Sequence, residues 1–382
     1  MKLYLYLLLS LSVAATTACD RTDERPPAVT AAQANAQDSV QDDIAETRRT
    51  AITEAVSNSE PAVVSINVMG TRTIDNPWFE LFFGRRRSEM IEQKVEGVGS
   101  GFVISPDGYI VTNDHVVSIG NRGTPEITVA FPDGETRSAE LVGTDQVTDI
   151  ALLKVDPDRD LPCLSFGSSS DVLTGEWVIA MGNPFGLFEA AEPSVTVGVV
   201  SAKDRDFEAR ENRLYRDMLQ TDAAINQGNS GGPLLNALGE VVGVNTFILS
   251  GRTNSGSIGL GFAVPSNKVQ NIVAELREHG EVDRSFYTGL SVRQLTPQIA
   301  RSLELSSLRG AVVARIENNS PAEEAGFEPY DVITHIGGEE VDTPQEASLM
   351  LTQYRPGDDV PIRVLRKGEQ LELTMTLEEA RE

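Results

Sequence analysis

Between residues 99 and 245, apolar positions fall into short β-branched runs broken by turn residues. Phe102-Val103-Ile104 and Tyr109-Ile110-Val111 flank Pro106-Asp107-Gly108, and the run 127–131 ends at Pro132-Asp133-Gly134. Strands at this even spacing predict a sandwich or barrel. Ahead of them, residues 44–56 read as a short helix and residues 61–68 as the first strand of the folded part. Helical spacing returns at Val269, Ile272, Val273 and Leu276, between Ser266 as N-cap and Gly280 as terminator. His279 falls in the last turn of that helix, where an imidazolium suits the helix dipole.

A second unit begins near residue 285. Residues 310–316 read as a strand, and Ser320-Pro321-Ala322-Glu323-Glu324-Ala325-Gly326 carries the cap, the proline and the terminal glycine of a short helix. Asp331-Val332-Ile333-Thr334-His335-Ile336 is a strand running into a glycine turn, Thr343-Pro344 starts another helix, and the runs 360–365 and 371–377 form a closing hairpin. His335 is expected as a surface strand residue. This order resembles a PDZ domain. On that resemblance, Tyr287, Thr288, Gly289, Leu290, Ser291 and Val292 form the carboxylate-binding loop and its adjoining strand, which captures a peptide C-terminus by strand addition.

The amino terminus has another character. Lys2 precedes an apolar stretch over residues 3–15 and small residues up to Cys19, the pattern of a secretory signal too short to span a bilayer comfortably. Ala18-Cys19 resembles the end of a bacterial lipoprotein signal, in which the cysteine becomes a lipidated first residue. Thr16 departs from the leucine usual there, which leaves ordinary cleavage as the alternative. If Cys19 carries a lipid, Asp20 resembles the residue that retains such proteins at the inner membrane. Residues 20–44 are rich in Ala, Gln, Asp and Pro and read as a disordered tether. Residues 70–97 read as a long insertion, a loop that contacts substrate or a neighbouring subunit. It holds Trp78, Phe79, Phe82, Phe83 and Arg85-Arg86-Arg87.

Composition narrows the function. A formal charge of −25 over 382 residues opposes nucleic acid as a partner, the arginine run notwithstanding. The two cysteines imply no disulfide framework, and Cys163 is expected as an unpaired, buried apolar side chain. No metal ligand set and no cofactor motif stand out.

The candidate chemistry gathers at Gly228-Asn229-Ser230-Gly231-Gly232-Pro233, where glycines uncover one hydroxyl and free N–H groups to converge on a spot. A serine nucleophile needs such donors, each worth roughly 10²–10³ in rate. It also needs a base, and there are three histidines. Of these, His115 ends a strand. Asp149 enters the apolar run Ile150-Ala151-Leu152-Leu153, and a carboxylate there needs a partner, such as an imidazole N–H. Asp145 and Asp114 are rivals, the first expected in the preceding turn and the second projecting away from its neighbour's ring.

Three stretches, Thr112-Asn113-Asp114-His115-Val116-Val117, Thr148-Asp149-Ile150-Ala151-Leu152-Leu153-Lys154 and residues 221–233, together resemble the HtrA/Deg family of trypsin-like serine proteases. The resemblance implies a mainly β fold: a chymotrypsin-like double β-barrel over residues 45–282, followed by one α+β PDZ domain over 283–382. It implies His115, Asp149 and Ser230 as the triad, and Gly228, Asn229 and Ser230 as the oxyanion hole, with Gly228 and Ser230 as main donors. Asn229 cannot form the activating ion pair of digestive relatives. Activity is therefore expected to switch by loop ordering, with Gly182-Asn183-Pro184-Phe185-Gly186 among the moving loops.

The resemblance implies a pocket floor six residues before Ser230, at Ala224, with Asp222 two residues out of register for a Lys or Arg preference. Ile225 with Leu249 or Leu260 would line a pocket for a small aliphatic side chain, ordinary core being the alternative for each. Asn245, Thr246 and Phe247 would pair with the substrate backbone. The implied function is an exported, ATP-independent endopeptidase for unfolded or regulatory proteins in periplasmic quality control and stress response, working as a homotrimer or an assembly of trimers. The alternative is a peptide-binding chaperone or scaffold with weak proteolysis.

Overall fold

A computed structural model describes residues 47–75, 90–119, 122–183, 192–207, 213–226, 228–248, 259–303, 305 and 307–380. The signal and tether segments, the aromatic and arginine cluster of 78–87, Pro184-Phe185-Gly186 and Leu249 lie outside the described residues.

The chain enters by helix α1 (Ala51–Ser59) and a tight turn at Glu60–Ala62, where Pro61 starts the turn without forfeiting a backbone bond. Of the expected helix over 44–56, residues 44–46 lie outside the described residues and 51–56 are helical. Strands β1 (Val63–Asp75), β2 (Met90–Val103), β3 (Tyr109–Thr112), β4 (Arg122–Ala130), β5 (Thr136–Asp145) and β6 (Ile150–Val155) close into a barrel in the order β1-β2-β3-β6-β5-β4. Between β3 and β4 lies a short helical turn, α2 (Asp114–Val117). Strands β1 and β2 stay in register from Val63 opposite Phe102 to Asp75 opposite Met90. The expected loop over 70–97 is therefore corrected: its two ends are arms of one antiparallel ribbon, whose pairing runs on from Gly70 opposite Val95 to Asp75 opposite Met90.

A second closed barrel, ordered β10-β11-β12-β9-β8-β7, is built from β7 (Trp177–Gly182), β8 (Ser194–Arg205), β9 (Met218–Thr221), β10 (Pro233–Asn236), β11 (Val241–Ile248) and β12 (Gly261–Pro265). In the segment joining the barrels, Leu161 and Leu164 turn into the core while Cys163 is exposed. The expectation of a buried cysteine fails because its neighbours take the inward positions. Helix α3 (Ser266–His279) buries Val269, Ile272, Val273 and Leu276 in the main apolar cluster, together with Ile179, Met181, Leu152 and Leu153. Each buried side chain of this kind contributes roughly 1.5–3 kcal/mol. Ser266 is the first helical residue rather than the cap, and its hydroxyl donates to the Gly167 carbonyl at 2.7 Å. Gly280, in the left-handed region, ends the helix, and His279 is exposed in its last turn.

The C-terminal unit comprises β13 (Leu290–Gln294), α4 (Pro297–Ser302), β14 (Ala311–Ile316), α5 (Pro321–Glu324), β15 (Val332–Ile336), β16 (Glu339–Glu340), α6 (Pro344–Leu351), β17 (Asp359–Arg366) and β18 (Glu369–Thr376). Its sheet runs β13-β14-β15-β17-β18, leaving β13 at an edge. All three helices begin alike: Thr296, Ser320 and Thr343 accept the N–H of Ile299, Glu323 and Glu346, and a proline follows each cap. His335 is half-buried in β15.

Arginines link this unit to the barrels. Arg284 forks onto both oxygens of buried Asp145 at 2.8 and 2.6 Å, Arg355 reaches Glu275 at 2.6 Å, and Arg216 reaches Glu339 at 2.7 Å. The fold is mainly β, a double barrel followed by a PDZ-type sheet, as the resemblance implies. Among the described residues no helix is long and apolar enough to cross a membrane.

Candidate active site

The pairing of β3 with β6, Thr112 opposite Ala151, brings the residues that follow one strand against those that precede the other. His115 in α2 and Asp149 before β6 meet there. His115 Nδ1 lies 2.8 Å from Asp149 Oδ2 and 3.0 Å from Oδ1, and the His115 backbone N–H donates to Oδ1 at 3.0 Å. Asp149 is fully buried, with φ 61°, the left-handed region that aspartate tolerates better than most residues. Its carbonyl accepts from the Asp114 N–H at 3.2 Å and from Asn113 Nδ2 at 2.8 Å. Asn113 Nδ2 also donates to Thr246 Oγ1 at 3.0 Å, tying this corner to the second barrel.

Asp114 makes its contacts away from the His115 ring. It is 2% exposed, accepts from the Ser118 hydroxyl at 2.6 Å and pairs with Arg213 Nη2 at 2.7 Å. The same guanidinium donates from Nε to Asp149 Oδ1 at 3.1 Å. Burial alone would lower the Arg213 pKa, but the charges of Asp149 and Asp114 outweigh it and hold the group above its ordinary value. Tyr215 places its hydroxyl 3.4 Å from Asp149 Oδ2. Asp145 closes β5 rather than sitting in the turn, and it serves Thr148 and Arg284 instead of an imidazole.

The loop bearing Ser230 belongs to the second barrel but is gripped by the first. Ser100 of β2 donates its N–H to the Ser230 carbonyl at 2.9 Å and its hydroxyl to the Gly228 carbonyl. Gly231 (φ 85°) lies so close that a Cβ there would stand 2.2 Å from the Ser100 carbonyl oxygen and 2.3 Å from Thr112 Oγ1. The Asn229 N–H donates to the Asn226 carbonyl at 3.0 Å. That corrects its place among the oxyanion donors and leaves Gly228 and Ser230 as the expected pair. Among the described residues, Ser230 Oγ donates to the Thr246 carbonyl at 3.0 Å rather than to His115.

Residues 99–244 match the trypsin-like peptidase domain family, and residues 286–377 match the PDZ domain family. A Hahella chejuensis protein described as a probable periplasmic serine endoprotease, DegP-like, is 37% identical over 339 residues, which cover 85% of this chain and 69% of that protein. A Chlamydia trachomatis protein of the same description is 35% identical over 408 residues, covering 99% and 78%. The HtrA-type protease AlgW, solved with a decapeptide, superposes with a TM-score of 0.59 at 34% identity, covering 87% of this chain and 100% of that one.

The chain belongs to the HtrA family of trypsin-like serine proteases.

In this HtrA protease Ile225 is 1% exposed in a cluster with Val178, Val200 and Leu219 and lies against Gly261, while the neighbouring Leu260 is partly buried against the main cluster. Ala224 is half-buried, and its carbonyl accepts from Thr196 Oγ1 at 2.8 Å. Asp222 is exposed and caps the Val199 N–H at 2.7 Å. Asn245 is corrected from a substrate-pairing residue to a brace. Its backbone bonds to Gly231 and Gly232, and its side chain donates to the Pro233 and Met181 carbonyls. Thr246 and Phe247 follow it along β11, with the Thr246 carbonyl facing Ser230.

In the PDZ domain the carbonyls of Thr288 and Gly289 turn inward and accept from Ala322 at 3.0 Å and Glu317 at 2.9 Å. A trans peptide points its N–H opposite to its C=O, so the Gly289 N–H faces away from these contacts. Leu290 donates to Thr288 Oγ1 at 3.2 Å. The Tyr287 hydroxyl holds Glu317 at 2.9 Å. Ser291 is exposed on β13, while Leu290 and Val292 pack against the domain core. Ser100, Asn113, Tyr215 and Arg213 escaped the sequence reading. For Arg213 the one available signal was Asp114, an acid beside an apolar run that burial would force to find a cation.

Proposed function

We propose that this HtrA protease cleaves unfolded or regulatory proteins in the periplasm, with Ser230 as nucleophile, His115 as general base and acid, and Asp149 as its orienting carboxylate. The observation that carries this reading is the 2.8 Å contact of His115 with fully buried Asp149, beside a serine loop clamped by Ser100. Rotation about the Ser230 Cα–Cβ bond takes the hydroxyl from the Thr246 carbonyl to the imidazole. Oγ then attacks the peptide carbonyl as His115 accepts its proton, and Asp149 stabilises the imidazolium. The N–H groups of Gly228 and Ser230 receive the oxyanion. His115 returns the proton to the leaving amine, and water repeats the cycle on the acyl-enzyme.

The edge of β11 at Thr246 and Phe247 would pair with the substrate backbone, and a pocket over Ala224 would take a small aliphatic side chain. The PDZ domain would bind peptide C-termini at Thr288, Gly289 and Leu290, for recognition or activation. A signal segment ending at Cys19, a lipid on that cysteine and a trimer of protease domains complete the proposal.

One observation favours a second reading, a peptide-binding chaperone with weak proteolysis: the Ser230 hydroxyl rests on Thr246. A fluorophosphonate probe separates the two. Labelling lost in Ser230→Ala, with kcat on a denatured protein falling on the order of 10⁶-fold, supports the protease. An unlabelled wild-type chain that still binds denatured protein supports the chaperone.

A further inference from the structure

We infer that Arg213 is a positioning residue which, together with Asp114, sets both the orientation of the Asp149 carboxylate and the net charge facing His115. This rests on the protease reading above. Asp149 Oδ1 receives two donors, the His115 N–H at 3.0 Å and Arg213 Nε at 3.1 Å. Pinned there, the carboxylate cannot turn, and Oδ2 stays aimed at His115 Nδ1 at 2.8 Å. The segment bearing Arg213 is itself held in place, by the Leu214 N–H on the Val147 carbonyl at 2.8 Å and the Phe207 N–H on the Tyr215 carbonyl at 3.0 Å.

The charges balance. Asp114 and Asp149 are 2% and 0% exposed, and the side chain of Arg213 between them is 9% exposed. Without the guanidinium, the two carboxylates it joins, Asp149 at 2.8 Å from the imidazole and Asp114 beyond it, would together favour positive charge on the ring. The guanidinium cancels one of them, and the trio presents a single negative charge, as an isolated triad aspartate would. Among the described residues, the other groups around His115 leave this sum unchanged. Tyr215 is a neutral phenol, Thr246 and Ser230 are uncharged, and Asp145 is neutralised by Arg284 at 2.6 Å. Asp114 and Arg213 thus form a compensating pair, in which an acid next to the base is tolerated because the cation comes with it.

The test is the pH profile of kcat/KM for the full chain on a denatured protein. Asp114→Asn, which keeps the volume and removes one negative charge, is expected to move the acidic limb to lower pH by roughly one unit. Arg213→Gln is expected to move it to higher pH by a similar amount and to cut neutral-pH activity about tenfold. The double variant should return the limb toward wild type. Arg213→Lys should restore the limb but not kcat, because an ammonium supplies the charge without the two-pronged geometry. An acidic limb that stays at the wild-type position in folded, probe-labelled Asp114→Asn overturns the inference, and this variant decides it even where Arg213→Gln fails to fold. A wild-type chain that neither cleaves nor labels refutes the protease reading instead.

Discussion

Arg284→Met is the perturbation that best reports how the PDZ unit is joined to the barrels. Its guanidinium meets Asp145 at 2.8 and 2.6 Å and the Thr352 carbonyl at 2.7 Å, so one side chain ties the first barrel to the end of α6. Asp145 is 4% exposed, and removing one partner of a buried pair costs about 3–5 kcal/mol. The lower end applies, because the Thr148 N–H and hydroxyl still serve the carboxylate and the arginine side chain is 15% exposed. A loss of about 3 kcal/mol is therefore expected. The assay is urea unfolding in a Ser230→Ala background, which prevents self-cleavage, with Asp145→Asn and the double variant completing a cycle. The coupling between the two sites should exceed about 1.5 kcal/mol. A midpoint unchanged by Arg284→Met, or energies that simply add, would refute the reasoning.

Gly231→Ala should abolish fluorophosphonate labelling and cost about 1–3 kcal/mol for the strained backbone alone, since its Cβ would overlap the Ser100 carbonyl. Labelling at the wild-type rate would contradict this. Leu276→Ala, at a fully buried position of α3, should lower stability by about 2–5 kcal/mol in the same urea assay. Burial holds the Glu339 carboxyl above its usual range even though Arg216 pulls it down. The protonated form is thus favoured in the folded state, and the stability this group contributes is present at acid pH and lost as pH rises through the raised value. Glu339→Gln should flatten that dependence in thermal melts between acid and neutral pH, and an unchanged slope would count against it.

The parts legible in the sequence are those written locally. The even spacing of β-branched runs announced barrels, the Ser/Thr-Pro pairs announced the helix starts at Pro321 and Pro344, and the stretches around His115 and Asp149 marked two side chains that meet at 2.8 Å. What stayed hidden depends on contacts across long separations. Ser100 grips Gly228 across 128 residues and Arg213 reaches Asp114 across 99, distances at which no periodicity speaks. The misread positions share another cause. Cys163 and Asn245 have side chains suited to either surface or interior, and only the course of the neighbouring backbone decides. The ribbon of β1 and β2 was missed because its polar residues, such as Arg72, Lys94 and Glu96, hide a strand pattern.

The φ of 61° at Asp149 governs how that residue can be interrogated. Alanine would delete the charge and at the same time be pressed into a left-handed backbone that costs a β-carbon without a compensating polar group about 1–2 kcal/mol. A corner relaxing to escape that cost would carry Asn113 and Asp114 with it, and the measured rate loss would overstate the carboxylate by about tenfold. Asparagine accepts the same conformation and shape, so kinetics from Asp149→Asn isolate the electrostatics from the scaffold that holds them.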